Sequence, residues 1–85
     1  MFYVYVLQSL LDSNFYTGFT DNLERRIDEH NSGKVKSTKN RAPFQLVYFE
    51  GSLNKNNALH REKYLKTTYG KRYLKNRIKT YLLEK

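Results

Sequence analysis

The sequence predicts an α+β domain built as a three-stranded antiparallel sheet flanked by three helices. Aromatic and β-branched runs stand at Met1–Ser9, from Phe15 onward and at Phe44–Glu50, and the first two are separated by the turn formers Asp12, Ser13 and Asn14. Helical spacing with capping signals follows the second and third runs.

The first strand alternates Phe2, Val4 and Val6 with Tyr3, Tyr5 and Leu7, so both faces are apolar or aromatic and the strand should be central. A short connection, Leu10–Asn14, closes a hairpin with Phe15, Tyr16 and Thr17 and sets Tyr5 near Tyr16, within a residue or two of register. Gly18 permits a turn or the close approach of a ligand. Asp21 or Asn22 caps a helix carrying Leu23, Arg26, Ile27 and His30, and Gly33 closes it. At about 100° per residue, Arg26 and His30 border the Leu23/Ile27 stripe, an unusual place for a cation. Lys34–Pro43 is a basic loop, long enough for substrate contact. A third strand, Phe44–Glu50, ends at Gly51 and Ser52. A helix is expected over Asn54–Tyr69, with Ala58, Leu65 and Tyr69 on one stripe and Gly70 as its stop. The last helix, Arg72–Leu83, offers Tyr73, Ile78, Tyr81 and Leu82 for burial.

Eighty-five residues without a linker-like run make one domain, 1–85, that buries about 60% of its unfolded surface. The absence of cysteine excludes disulfides and thiolate zinc sites. No basic leader precedes an apolar core, and no apolar run approaches the ~20 residues of a membrane span, so the expectation is a cytoplasmic protein without a membrane partner. Sixteen Lys and Arg against eight acids, a net charge of +8, imply a polyanionic partner. Lys34, Lys36, Lys39 and Arg41 follow the first helix, while Lys63, Lys66, Lys71, Arg72, Lys75, Arg77 and Lys79 crowd the C-terminal third. A solvated helix face accounts for any one of them. Phosphate neutralisation is the simplest use for their sum, with a membrane surface or an acidic protein as weaker alternatives.

Glu62 falls within the apolar stripe of the second helix, where a charge needs a partner: Lys66, Arg26 or a metal ion. Arg26 either pairs with Glu29 or serves as a planar clamp for phosphate. Tyr5 and Tyr16 are sheet aromatics singly and a proton-handling pair jointly. His30 complements the helix C-terminus or joins that pair.

Tyr3-Val4-Tyr5, then Tyr16-Thr17-Gly18 eleven residues after Tyr5, then Leu23 and Arg26, resembles the two signature strands and first helix of the GIY-YIG nucleases. The likeness extends through Arg41-Ala42-Pro43 to the segment Ala58-Leu59-His60-Arg61-Glu62, and is strongest to small bacterial single-domain members. It is similar also to the nuclease domain of the excision-repair incision subunit and of structure-specific endonucleases. Tyr3 departs from the family's glycine, Thr17 from its isoleucine, and Phe19 stands where repair members often carry lysine.

The resemblance implies the GIY-YIG endonuclease fold and a metal-dependent DNA endonuclease, structure-specific and linked to repair or recombination. In that reading Glu62 binds Mg2+ or Mn2+ and Arg26 clamps the phosphate. Tyr5 is base or proton relay, Tyr16 orients the water, and His30 is a second-rank relay residue. Lys34, Lys36, Lys39, Arg41, Lys63, Lys66, Lys71 and Arg72 are the expected nucleic-acid contacts, with DNA as partner, RNA not distinguished from it, and a monomer or weak dimer as the unit. With no attached targeting domain, selection falls to the basic loop, the basic helices, DNA structure or a partner protein. The alternatives are a nucleic-acid-binding module without useful catalysis on the same scaffold, and an interaction protein whose basic face docks an acidic partner.

Overall fold

The computed structural model describes residues 1–84. Strand β1 (Phe2–Ser9) lies between β2 (Phe15–Thr20) and β3 (Phe44–Ser52), antiparallel to both. Helices α1 (Leu23–Asn31), α2 (Lys55–Leu65) and α3 (Thr68–Arg77), the last extended by the short α4 (Lys79–Leu83), cover the sheet.

The alternation along β1 sorts the core into two faces. Val4 packs with Ala58 and Leu65 of α2, and Val6 with Leu74 and Ile78 at the C-terminal helices. Tyr5 and Leu7 point the other way, toward Leu23 and Ile27 of α1 and toward Phe44. Both faces are thus buried, as expected for a central strand. A bulge between Val6 and Leu7 shifts the β1–β3 register, so that Val6 faces Tyr48 and Leu7 faces Leu46.

The register of the hairpin decides what the two tyrosines can do. Tyr5 pairs with Gly18 and Leu7 with Tyr16, which leaves Tyr5 and Tyr16 diagonal neighbours on one face, ring centroids 6.4 Å apart. The lost side chain at Gly18 serves the protein's own Tyr5: an added Cβ would collide with the phenol ring. The expected turn or ligand approach at Gly18 is therefore replaced by a tyrosine lying across the strand.

Helix α1 begins and ends where its sequence directs. The Asn22 side chain accepts the Arg25 N–H at 3.0 Å, and Gly33, at φ +76°, completes a Schellman closure in which Lys34 N–H donates to Glu29 O and Gly33 N–H to His30 O.

Three expected boundaries move. Strand β3 continues through Gly51 and Ser52, where Gly51 pairs with Tyr3 on the edge of the sheet. The helix expected over Asn54–Tyr69 stops at Leu65, because Thr67 both closes it and caps α3: its hydroxyl donates to Tyr64 O at 2.7 Å and accepts the Gly70 N–H at 3.1 Å. Tyr69 consequently leaves the apolar stripe and is 72% exposed. Gly70 is no stop; it lies in the first turn of α3 against the Tyr64 carbonyl and the Leu65 backbone, where a Cβ has no room. Helix propensity alone would make Gly70→Ala stabilising by up to about 1 kcal/mol. The backbone collision reverses the sign, and the expected result is a loss of about 2 kcal/mol, read as a lower urea midpoint at unchanged m.

Candidate active site

Helix α1 closes on the Tyr5 phenol, backed by the loop that follows it. His30, in the last turn of α1, places Nε2 2.8 Å from the Tyr5 hydroxyl, and Arg26, one turn earlier, points Nε at the same oxygen from 3.4 Å. The other imidazole nitrogen, Nδ1, is 2.7 Å from the hydroxyl of Thr38, in the loop after α1. Tyr5, His30 and Thr38 are all within 1% of full burial. One proton arrangement satisfies every donor: Arg26 Nε–H to Tyr5, Tyr5 O–H to His30 Nε2, His30 Nδ1–H to Thr38, and the Thr38 hydroxyl toward Val35 O.

Burial and the neighbouring Arg26 charge push the His30 pKa down to about 4, so the ring is neutral near pH 7. Burial and two hydroxyl partners favour a neutral ring over a cation complementing the helix end, one of the two roles open to it in the sequence. Burial also raises the Tyr5 pKa, while the hydrogen bond from Arg26 pulls it back and the charge of Glu62 adds to the rise. Glu62 is therefore electrostatically joined to this centre. Its side chain is 19% exposed, at the border of the α2 stripe rather than inside it, and Oε2 accepts from Lys66 Nζ at 3.1 Å.

Tyr16 is the outer member of the pair. Half-buried, it sets its ring edge-on to His30 at 5.0 Å and lines a depression of about 580 Å³ together with Lys66, Lys71 and Lys75. Arg26 keeps Nη1 on Glu29 at 3.1 Å, so its structural partner and its bond to Tyr5 coexist.

The model of the GIY-YIG catalytic domain matches residues 1–78. The chain belongs to the GIY-YIG family. A UPF0213 protein of Clostridium perfringens is 51% identical over 67 residues, covering 78% of this chain and 71% of its own. One of Oceanobacillus iheyensis is 43% identical over 61 residues, covering 71% and 70%. The solution NMR structure of a UPF0213 protein from Bacillus halodurans superposes with a TM-score of 0.54 at 38% identity, over 87% of this chain and 82% of that one. Family membership gives a nuclease-type domain whose substrate is nucleic acid; GIY-YIG nucleases generally use divalent metals.

The basic residues of this GIY-YIG domain do not form one set. Arg41 is committed internally: Nε donates to Asp12 Oδ2 at 2.9 Å and its guanidinium lies over Phe44. Lys34 shares a surface with Glu24, Asp28 and Glu29, while Lys36 and Lys39 are exposed on either side of the buried Thr38. Lys63, Lys71 and Arg72 are exposed, and Lys66 carries the Glu62 pair.

Two supporting residues escaped the sequence reading. Thr38 sits in a polar loop with no periodicity to mark it as buried. Asn31 holds the start of β3 against α1, accepting Phe44 N–H at 2.6 Å and donating to Phe44 O at 3.2 Å. On the opposite face, Glu50 accepts from Tyr48 and from two nitrogens of Arg61, whose guanidinium stacks on Tyr73 at 4.6 Å; nothing in their spacing announces that cluster.

Proposed function

We propose that this chain is a divalent-metal-dependent endonuclease that hydrolyses phosphodiester bonds in DNA. The observation that carries the reading is the convergence of Arg26 Nε and neutral His30 Nε2 on one phenol oxygen, beside an exposed basic surface. Among the described residues no three His, Cys, Asp or Glu side chains gather as a metal cage. A lone, partly exposed carboxylate such as Glu62 fits a cation that completes its shell with water and phosphate, as Mg2+ or Mn2+ does. When bound, such an ion supplies Lewis-acid polarisation of the phosphate and lowers the pKa of water.

The side chains do the rest. Arg26, held at two of its nitrogens, offers its Nη2 donors to the charge that develops on the non-bridging oxygens. Tyr16 orients the attacking water from the rim. The water oxygen bonds to phosphorus as the bond to the leaving sugar oxygen breaks, that oxygen taking its proton from solvent. Tyr5 meanwhile takes a proton from the water and passes its own to His30 Nε2, so that no free phenolate forms. The raised pKa of Tyr5 makes such a relay preferable to a standing phenolate base. The Lys66 ammonium exchanges its Glu62 partner for substrate phosphate.

Labelled flap, branched, single-stranded and duplex DNA incubated with Mg2+, with Mn2+ and with chelator tests the reading. Cutting should require the metal and fall at least about 100-fold in Glu62→Gln. Metal-independent cutting, or full activity in Glu62→Gln, would overturn it. No cutting by either protein, with DNA binding retained, would establish the binding-module alternative.

A further inference from the structure

Charge is segregated on this surface. Between Lys63 and Leu83 the chain carries Lys63, Lys66, Lys71, Arg72, Lys75, Arg77 and Lys79 without one acid. The depression that includes Tyr16 has a rim of Lys71, Lys75 and Lys66, the last paired to Glu62, and its neighbour on α3 is lined by Lys71, Arg72, Lys75 and Lys79; no carboxylate is among the described lining residues of either. The loop after α1 is the contrary case, with Arg41 paired to Asp12 and Lys34 set among Glu24, Asp28 and Glu29.

The depression is also not purely electrostatic. The partly exposed Phe15 and Leu82 line it together with the buried Leu65 and Leu74, and Tyr16, whose ring turns to His30, borders it at the strand edge. A duplex turns phosphates and sugars to a protein surface and keeps its bases stacked, so it leaves such an apolar floor empty. An unpaired strand presents both phosphates and base faces, and aromatic floors with cationic rims are what hold it. Lys71 and Lys75 lie one helical turn apart, about 6 Å along α3, which lets them serve neighbouring phosphates. Tyr69, 72% exposed and approached by the Arg72 guanidinium at 5.9 Å, extends this mixed surface at the start of the helix.

We propose that the depression between the β2 edge and α3 binds an unpaired nucleic-acid strand, with phosphates on Lys71 and Lys75 and a base over Phe15 and Leu82. The loop after α1 contributes little. The assignment depends on the nuclease reading only in placing that strand beside Tyr16 for cutting; binding stands by itself.

Fluorescence anisotropy in chelator, where no cutting occurs, tests it with a single-stranded oligonucleotide of about 12 residues, the same sequence as duplex, and an abasic strand of equal charge. The single strand should bind at least about tenfold more tightly than the duplex, and loss of the bases should cost about tenfold or more. The paired change Lys71→Gln and Lys75→Gln should lower the log Kd against log salt slope by about 1.4, whereas Lys34→Gln with Lys36→Gln should leave it unchanged. All four lysines are exposed, so folding is not at stake. Equal or tighter duplex binding, indifference to base removal, or a slope that responds to the loop pair and not the α3 pair would each overturn the proposal. Preferential binding to vesicles rich in anionic lipid would overturn it in favour of a membrane surface. A wild-type protein that cuts nothing yet prefers the single strand would refute the nuclease reading alone.

Discussion

Arg26→Ala should lower the single-turnover rate of phosphodiester cleavage by about 10²–10³-fold while leaving substrate affinity in chelator within a factor of about three. In the proposed reading, ground-state phosphate contacts come chiefly from the lysine surface on α3, whereas Arg26, bonded to the Tyr5 phenol, acts on the charge that builds during attack. Folding should be nearly untouched. The Arg26–Glu29 pair is about one-third exposed on both sides, and such pairs contribute about 0–1 kcal/mol. Arg26→Lys separates charge from geometry: an ammonium keeps the charge but loses the fork that reaches Tyr5 and Glu29 together, so its rate should stay well below wild type. Quenched-flow cleavage alongside anisotropy reads both quantities. A rate within about tenfold of wild type in Arg26→Ala would remove this residue from the reaction.

Much of this centre was legible because local rules and tertiary placement agree. The alternation in β1 fixes Tyr5 and Leu7 on one face, and the hairpin then brings Tyr16 to that face two residues from the Tyr5 partner. Helical periodicity puts Arg26 and His30 one turn apart, and the Asn22 cap and Gly33 closure fix the helix that presents them. What the sequence left open is who touches whom. Thr38 is a hydroxyl among lysines, and only the return of the loop over α1 buries it against His30. Gly70 reads as a helix stop by composition, yet its role is set by the approach of Tyr64 and Leu65, a contact between two helices that propensity does not contain. The basic residues show the same limit: their number predicts a polyanion, while the ion pair of Arg41 with Asp12 and the acids around Lys34 appear only once the chain is folded.

The buried histidine makes stability depend on pH in a window the carboxylates do not share. In the folded protein His30 titrates at about 4, against 6.5 for a free imidazole. Between those values the unfolded chain binds the proton and the folded chain does not, so stability rises with pH through the window and is lost as pH falls from about 6.5 toward 4. The difference amounts to about 3 kcal/mol in full, of which about 2 kcal/mol should disappear between pH 7 and pH 5. Asp12 is held below its ordinary range by Arg41. Burial works against Glu50, and the hydrogen bonds of Arg61 and Tyr48 overcome it. Both carboxyls thus lose their stabilisation only at lower pH, beneath the ordinary carboxylate values, which leaves the upper window to His30. Urea unfolding at pH 7 and pH 5 should show the loss in wild type and a nearly flat response in His30→Gln, which cannot acquire a proton there. Equal slopes in the two proteins, or a histidine NMR titration of the folded state centred near 6.5 instead of about 4, would mean that His30 is not the neutral acceptor of the Tyr5 proton.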